Sequence, residues 1–267
     1  ILGMGVAVAG LINGENGLIE YSPMFKWRQV DLMDELKKHF NLPIFYDNVS
    51  RVTALGELLY GIGKRHKNFI SVNAGYGIGA GIIINGVRYF GSNGYAGELG
   101  HIVVDRNSQF VGKDGIKGCL EALSSGSGIA EIAKFQVEKM GPDHLILKEA
   151  GGELIDISAK CVFEAAIKGD QLANEIIDNA MWFFAIGLDT LIKLFDPSAI
   201  VISGGLAKNG NFFFDKLEQN LKGLGLMQSE SKLALHPSSF NDDATLMGAF
   251  SLVIAEVLQL HENVIPG

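Results

Sequence analysis

Gly97-Glu-Leu-Gly-His101 sets a carboxylate and an imidazole three positions apart across a glycine-containing turn, and Gly118-Cys-Leu-Glu121 adds a second carboxylate. Two carboxylates and an imidazole suit a site for vicinal hydroxyls. Charged acceptors make the stronger hydrogen bonds, and histidine can donate or accept. Taken singly, each residue has a plainer reading: a satisfied histidine near a strand start, and two solvated glutamates. The combination is what points to a polyhydroxylated ligand. Just upstream, Gly75, Gly77, Gly79 and Gly81 alternate in a turn that leaves one strand and enters another. Glycines at such spacing let backbone N–H groups approach a ligand, and nests of this kind suit phosphate oxygens. A tight hairpin in a twisted sheet would need the same residues. The turn is not a dinucleotide fingerprint, because no helix follows it. Nor is it a Walker loop, because the terminal Gly-Lys-Ser/Thr is absent.

The elements that must position these residues read as α/β. Residues 1–9 are apolar and β-branched, and residues 13–17 (Asn-Gly-Glu-Asn-Gly) are turn chemistry before a second strand at 18–21. Apolar Val30, Leu32, Met33, Leu36 and Phe40 recur at helical spacing. A short strand is expected at 43–46, a helix over Val49–Tyr60 and a strand at 68–73. Residues 79–85 and Val87–Tyr89 form a hairpin over Asn85-Gly86. The chain then loops and returns as a strand at 101–105, followed by a polar loop at 106–117. Helices are expected at 119–123, 128–139, 158–168, Gln171–Phe195, 212–221 and 244–260. Strands are expected at Ala199–Ser203 and 233–236. Strand–glycine–helix joints of this kind suggest two α/β lobes around a cleft. The expected division is residues 1–98, completed by a C-terminal helix at about 244–262, and residues 99–243.

With 267 residues, 48% of them hydrophobic, the chain can build two such lobes. A net charge of −8 argues against this chain gripping nucleic acid by itself, because duplex affinity depends on Lys and Arg meeting phosphates. Two cysteines, Cys119 and Cys161, make no disulfide framework and fit a reducing cytoplasm. The most apolar long stretch, residues 181–195, carries Asp189 and Lys193 and is too short to span a bilayer, so no membrane partner is expected. Residues 1–9 already read as a strand, so the chain is expected to be a fragment that begins inside a domain.

Gly77-Ile-Gly-Ala-Gly81, Ala96-Gly-Glu-Leu-Gly-His101 and Gly118-Cys-Leu-Glu121, in this order and spacing, resemble the signature of the ROK family of sugar kinases and sugar-responsive repressors. Further segments carry the likeness. Residues 2–10 resemble the family's strand into a Pro-Gly turn, with Ala9 where proline is usual. Tyr46-Asp-Asn-Val-Ser-Arg-Val-Thr-Ala-Leu-Gly-Glu57 resembles Glu-Asn-Asp-Ala-Asn followed by a helix ending in Glu. Asp196-Pro197, Ile200-Val201 and Gly204-Gly205 resemble the strand and turn that approach the nucleotide in the kinases, and Gly248-Ala249 sits where the last helix begins. The resemblance implies a two-lobed, actin-like, ribonuclease-H-like fold with an incomplete first lobe. It implies that Asn48, Glu98, His101 and Glu121 line a sugar pocket, with backbone near Gly10 and Pro23.

The departures from that pattern carry the functional expectation. Counting back from Glu57, the family's catalytic Asp falls on Val49, which cannot take a proton from a sugar hydroxyl. Asp47, two positions earlier and on the same face of an extended segment, is the nearby substitute as base. Tyr76 stands where kinases have Thr, and the amino-terminal Asp-Gly-Thr phosphate motif is absent from the chain. The family's structural zinc site has lost two cysteines, at Gly112 and Asp114. His101, Asp114 and Cys119 remain, short of a closed four-coordinate site, so no zinc and no other cofactor is expected. The expectation is the sugar-sensing part of a repressor, a homodimer or homotetramer without kinase activity, touching DNA only through a domain absent from this chain. The alternatives are an amino-terminally truncated ROK kinase of a hexose or N-acetylhexosamine, and an interaction protein with a dead pocket.

Overall fold

The computed structural model describes residues 1–13, 17–141, 143–224 and 233–258. Its strands and helices, in chain order, begin with β1 (Met4–Val8), β2 (Leu11–Ile12), β3 (Ile19–Ser22), β4 (Trp27–Val30), α1 (Leu32–Lys37), β5 (Ile44–Asn48) and α2 (Val49–Tyr60). Then come β6 (Phe69–Ala74), β7 (Ile78–Ile84), β8 (Val87–Tyr89), α3 (Leu120–Ser124), α4 (Gly126–Met140), α5 (Leu145–Glu149) and α6 (Ala159–Ile167). The remainder is α7 (Gln171–Phe195), β9 (Ala199–Ser203), α8 (Asn211–Gly223), β10 (Ala234–Pro237) and α9 (Ala244–Val257).

The two longest-range anchors of the helical layer start at side-chain caps. Asn48 accepts from the Ser50 amide at the start of α2, and Asp170 accepts from Ala173 at the start of α7, both at 2.8 Å. α7 stops at Asp196, which takes a left-handed conformation with φ 44°. Five strands form one sheet in the order β10-β9-β6-β7-β8, parallel from β10 to β6 and antiparallel beyond. Alternation along its central strands feeds two cores. Ala199 and Val201 face the core built on α2 and α9, whereas Ile200 and Ile202 face the core built on α4, α6, α7 and α8. β1 and β5 pair in parallel as a separate sheet, with α9 packed on both. α9 crosses α2 at close range: a Cβ on Gly248 would stand 2.2 Å from the Val52 carbonyl oxygen, so only glycine fits. β2, β3 and β4 form a small antiparallel flap whose Ile12 and Ile19 pack on Val8.

Two expectations change. Strands at residues 69–89 share their sheet with β9 and β10, whereas the expected first unit of residues 1–98 grouped them with β1 and β5. The cause is the parallel pairing of β6 with β9 from Phe69 to Asn73, which commits the β6–β8 meander to that sheet. Residues 101–105 are not a strand. A short 3₁₀ turn covers Leu99–His101, and within residues 101–105 an isolated bridge joins Val103 to Cys119. The amides of Val104 and Asp105 both turn onto the single carbonyl of Gly118, which bends the chain instead of extending it. Residues 14–16 of the expected turn and 259–262 of the expected last helix lie outside the described residues.

Candidate functional site

Glu98, His101 and Glu121 are brought together at the open end of β7. Gly97 holds the approach: its carbonyl accepts from Ala80 on β7 at 2.8 Å, which fixes the chain one residue before Glu98. Glu98 Oε2 lies 3.2 Å from His101 Nε2, with both side chains about 30% exposed. Glu121, in the first turn of α3, reaches the glycine-rich turn and accepts from the Ile78 amide at 3.1 Å. This approach requires glycine at 77, where a Cβ would stand 2.4 Å from Glu121 Oε2. Gly79 in turn admits the hydroxyl of Ser50, 2.4 Å from where a Cβ would be. The glycines of the turn that could suit phosphate or simply a tight hairpin thus make room at Gly77 and Gly79 for the protein's own Glu121 and Ser50.

His101 is held between carboxylates. Nδ1 lies 2.5 Å from Asp114 Oδ2, an ion pair whose oxygen sits off the line of the ring N–H. The hydrogen bond that His101 donates to Glu98 outweighs partial burial, and with the charges of Glu98, Asp114 and Glu121 it pushes the imidazole up to about 9. At neutral pH His101 is therefore an imidazolium with two donors, and the glutamates around it are acceptors.

Asn48 stands at the junction of β5 and α2. Its Nδ2 donates to the Gly10 carbonyl at 2.9 Å while Oδ1 caps the helix, so it ties the β1 turn to α2. Ser50, whose amide it accepts from, lies against Gly79 of the glycine turn. Pro23 lies in the turn between β3 and β4. A cavity of about 400 Å³ opens beside the 91–99 loop, and of the four expected residues only Glu98 lines it. Its walls are largely Tyr89, Tyr95, Leu191, Leu194 and Phe195.

Val49 is the first residue of α2 and offers no proton acceptor. Asp47 beside it is buried, and its oxygens are engaged. Oδ1 accepts from Arg51 Nε at 2.8 Å and Nη2 at 2.5 Å and from the Asn48 amide at 2.7 Å; Oδ2 accepts from Arg88 at 3.1 Å. Arg51 and Arg88 were not among the expected site residues. The Asp47–Arg51 spacing of four at a helix start was the available signal for one of them. Tyr76 is 61% exposed, with Lys113 Nζ 3.2 Å from its ring centroid. Its carbonyl accepts from the amide and hydroxyl of Ser127 at the start of α4. Gly204-Gly205 lies alongside, where Leu206 donates to the Ala74 carbonyl at 2.9 Å.

The zinc set does not fit a closed site. Cys119 and Asp114 approach each other at Gly112, but the two positions that should supply thiolates hold Gly112 and Asp114. Burial pushes the Cys119 thiol up, away from the thiolate that zinc takes. Among the described residues no three His, Cys, Asp or Glu side chains are grouped to hold a metal ion. No described helix is long and apolar enough to cross a membrane.

The sheet order, the paired α2–α9 layer and the site at the open end of β7 define an actin-like, ribonuclease-H-like fold of the kind that sugar kinases use. A solved ROK family glucokinase from Streptomyces griseus, in complex with glucose and AMPPNP, superposes with a TM-score of 0.81 at 28% identity, over 92% of this chain and 79% of that one. The ROK family pattern matches residues 1–256, and the chain belongs to that family. Its relatives include both kinases and regulators. A glucokinase of Halalkalibacterium halodurans is 32% identical over 95% of this chain and 76% of its own length. A xylose repressor of Caldicellulosiruptor bescii is 29% identical over 98% of this chain and 65% of its own length.

Proposed function

We propose that this chain is the sugar-sensing part of a ROK regulator and does not phosphorylate the sugar it binds. The observation that carries this reading is Val49, which follows Asn48 at the position where the kinases' general base is expected. Asp47 offers no replacement, because both of its oxygens already accept from Arg51, Arg88 and the Asn48 amide. The ligand is a neutral aldose such as xylose. Its hydroxyls donate to Glu98 and Glu121, and the His101 imidazolium, whose two N–H groups face Glu98 and Asp114, keeps the Glu98 carboxylate oriented; Asn48 closes the pocket from the α2 side. The 105–119 loop is held by the His101–Asp114 pair and the buried Cys119, without zinc. The protein acts in the cytoplasm as a homodimer or homotetramer. Sugar binding shifts the closure of the cleft, and DNA contact belongs to a domain outside this chain.

The glucokinase relative supports a second reading, an ATP-dependent sugar kinase that uses Asp47 as base. Calorimetry across a panel of pentoses and hexoses tests the sugar pocket that both share. At least one aldose should give saturable heat, and Glu98→Gln should weaken its binding by about 10- to 100-fold. No heat from any aldose would contradict the pocket and favour a protein that acts only through its surfaces.

A further inference from the structure

Arg51 spends its whole donor fork on two segments that flank the Asn48 and Glu98 sides of the site. Nε and Nη2 hold Asp47 at the end of β5, and Nη1 donates to the Gly94 carbonyl. The Arg51 side chain is 4% exposed. Arg88 on β8 reaches the other oxygen of Asp47, and both guanidinium groups lie over the Phe90 ring, at 5.6 and 5.1 Å from its centroid. Phe90 and Gly94 belong to the loop that delivers Glu98. The Ala96 amide donates back to the Phe90 carbonyl at 3.1 Å, and Leu99 donates to Gly97 at 2.7 Å. Tyr95 of the same loop donates its hydroxyl to Glu20 on β3 of the flap. A planar fork that meets a carboxylate on one edge and a carbonyl on another fixes both partners at once, which an ammonium cannot do.

We infer that Arg51 is a positioning residue that locks the 90–97 loop to the start of α2 and so sets the spacing between Asn48 and Glu98, a role that rests on the sugar-pocket reading above. The spacing matters because a pocket for adjacent hydroxyls tolerates little misplacement of its acceptors. Asp47 is the other half of the lock. In place of a general base, it orients the guanidinium.

Arg51→Lys keeps the charge and removes the fork. Hydrogen exchange at the Ala96 and Leu99 amides should speed up about tenfold while protection in α7 stays unchanged. The aldose affinity of the wild type should fall by about tenfold, and in a Glu98→Gln background the same change should cost less than about twofold, because it acts through Glu98. Unchanged exchange at Ala96 and Leu99 would overturn the inference, as would faster exchange with unchanged affinity. If the wild type binds no aldose, the pocket reading fails, and the exchange comparison still decides whether Arg51 holds the loop. Should Arg51→Lys fail to fold, wild-type exchange is decisive. Ala96 must then exchange within about threefold of Ser50, as members of one opening unit, and Ala96 exchanging much faster overturns the lock.

Discussion

Asp47 with Arg51 and Arg88, and Glu98 with His101 and Glu121, are both clusters of carboxylate and cation, and both touch the loop at residues 90–98. They differ in closure. The side chains of the first are 4–9% exposed, and the Asp47 carboxylate is engaged at both oxygens. The second is about 30% exposed at Glu98 and His101, and its cation titrates. A closed pair of fixed charges stabilises one geometry. A half-open cluster around an imidazolium keeps acceptors available to a ligand. Sequence proximity alone would rank Asp47 as the nearest base to Asn48, whereas in the fold both of its oxygens accept from Arg51, Arg88 and the Asn48 amide.

Breaking the closed cluster should give the largest effect. Asp47→Ala leaves two guanidinium groups buried without their carboxylate, and urea denaturation should show a loss of about 3–5 kcal/mol. A loss below about 1 kcal/mol would mean that the cluster is not closed in solution. Glu98→Gln should do the reverse. It should lower aldose affinity by about 10- to 100-fold and, measured at a pH above the His101 titration, change stability by less than about 1 kcal/mol. Calorimetry and denaturation on the same sample separate the two.

His101 sharpens the contrast through pH. Its folded value, about 9, lies above the ordinary 6.5. The stability it contributes is therefore fully present below 6.5 and is lost as pH rises through about 9. NMR titration of the imidazole should place it near 9 in the wild type and move it back toward 6.5 in Glu98→Gln, whose hydrogen bond is the largest cause of the shift. A wild-type titration at 6.5 would mean that the two side chains are not paired. The smallest effect is expected from Lys113→Ala, which removes the cation over Tyr76. It should cost about 0.5–1 kcal/mol and leave aldose affinity unchanged.

The parts of the fold that were legible are those whose signals are local. α2 and α7 begin at capping residues, Asn48 and Asp170, and carry clean apolar spacing, so their bounds follow from composition alone. β9 is a continuous buried run, and the Asn85-Gly86 turn announces its hairpin. The two-residue β2 and the flap strand β4 carry no such signal, and Gln29 within β4 takes φ 51°. The expected strand at 101–105 failed because the Ile102 amide turns back to Leu99 and those of Val104 and Asp105 share a single carbonyl, Gly118, where a partner strand was assumed. In the site, the Glu98–His101 spacing was readable as a pair. The engagement of Asp47 was not, because Arg88 lies 41 residues away and the Gly94 carbonyl 43 residues from Arg51, which only the β7–β8 hairpin brings home.

The central claim is that this site holds a sugar without phosphorylating it. It is tested most directly by a single-turnover assay with labelled ATP, magnesium and the aldose that calorimetry identifies, on the longest form of the protein that folds. No sugar phosphate is expected, with or without Asp47. Sugar phosphate formed by the wild type and abolished by Asp47→Asn would contradict the account and make the protein a kinase.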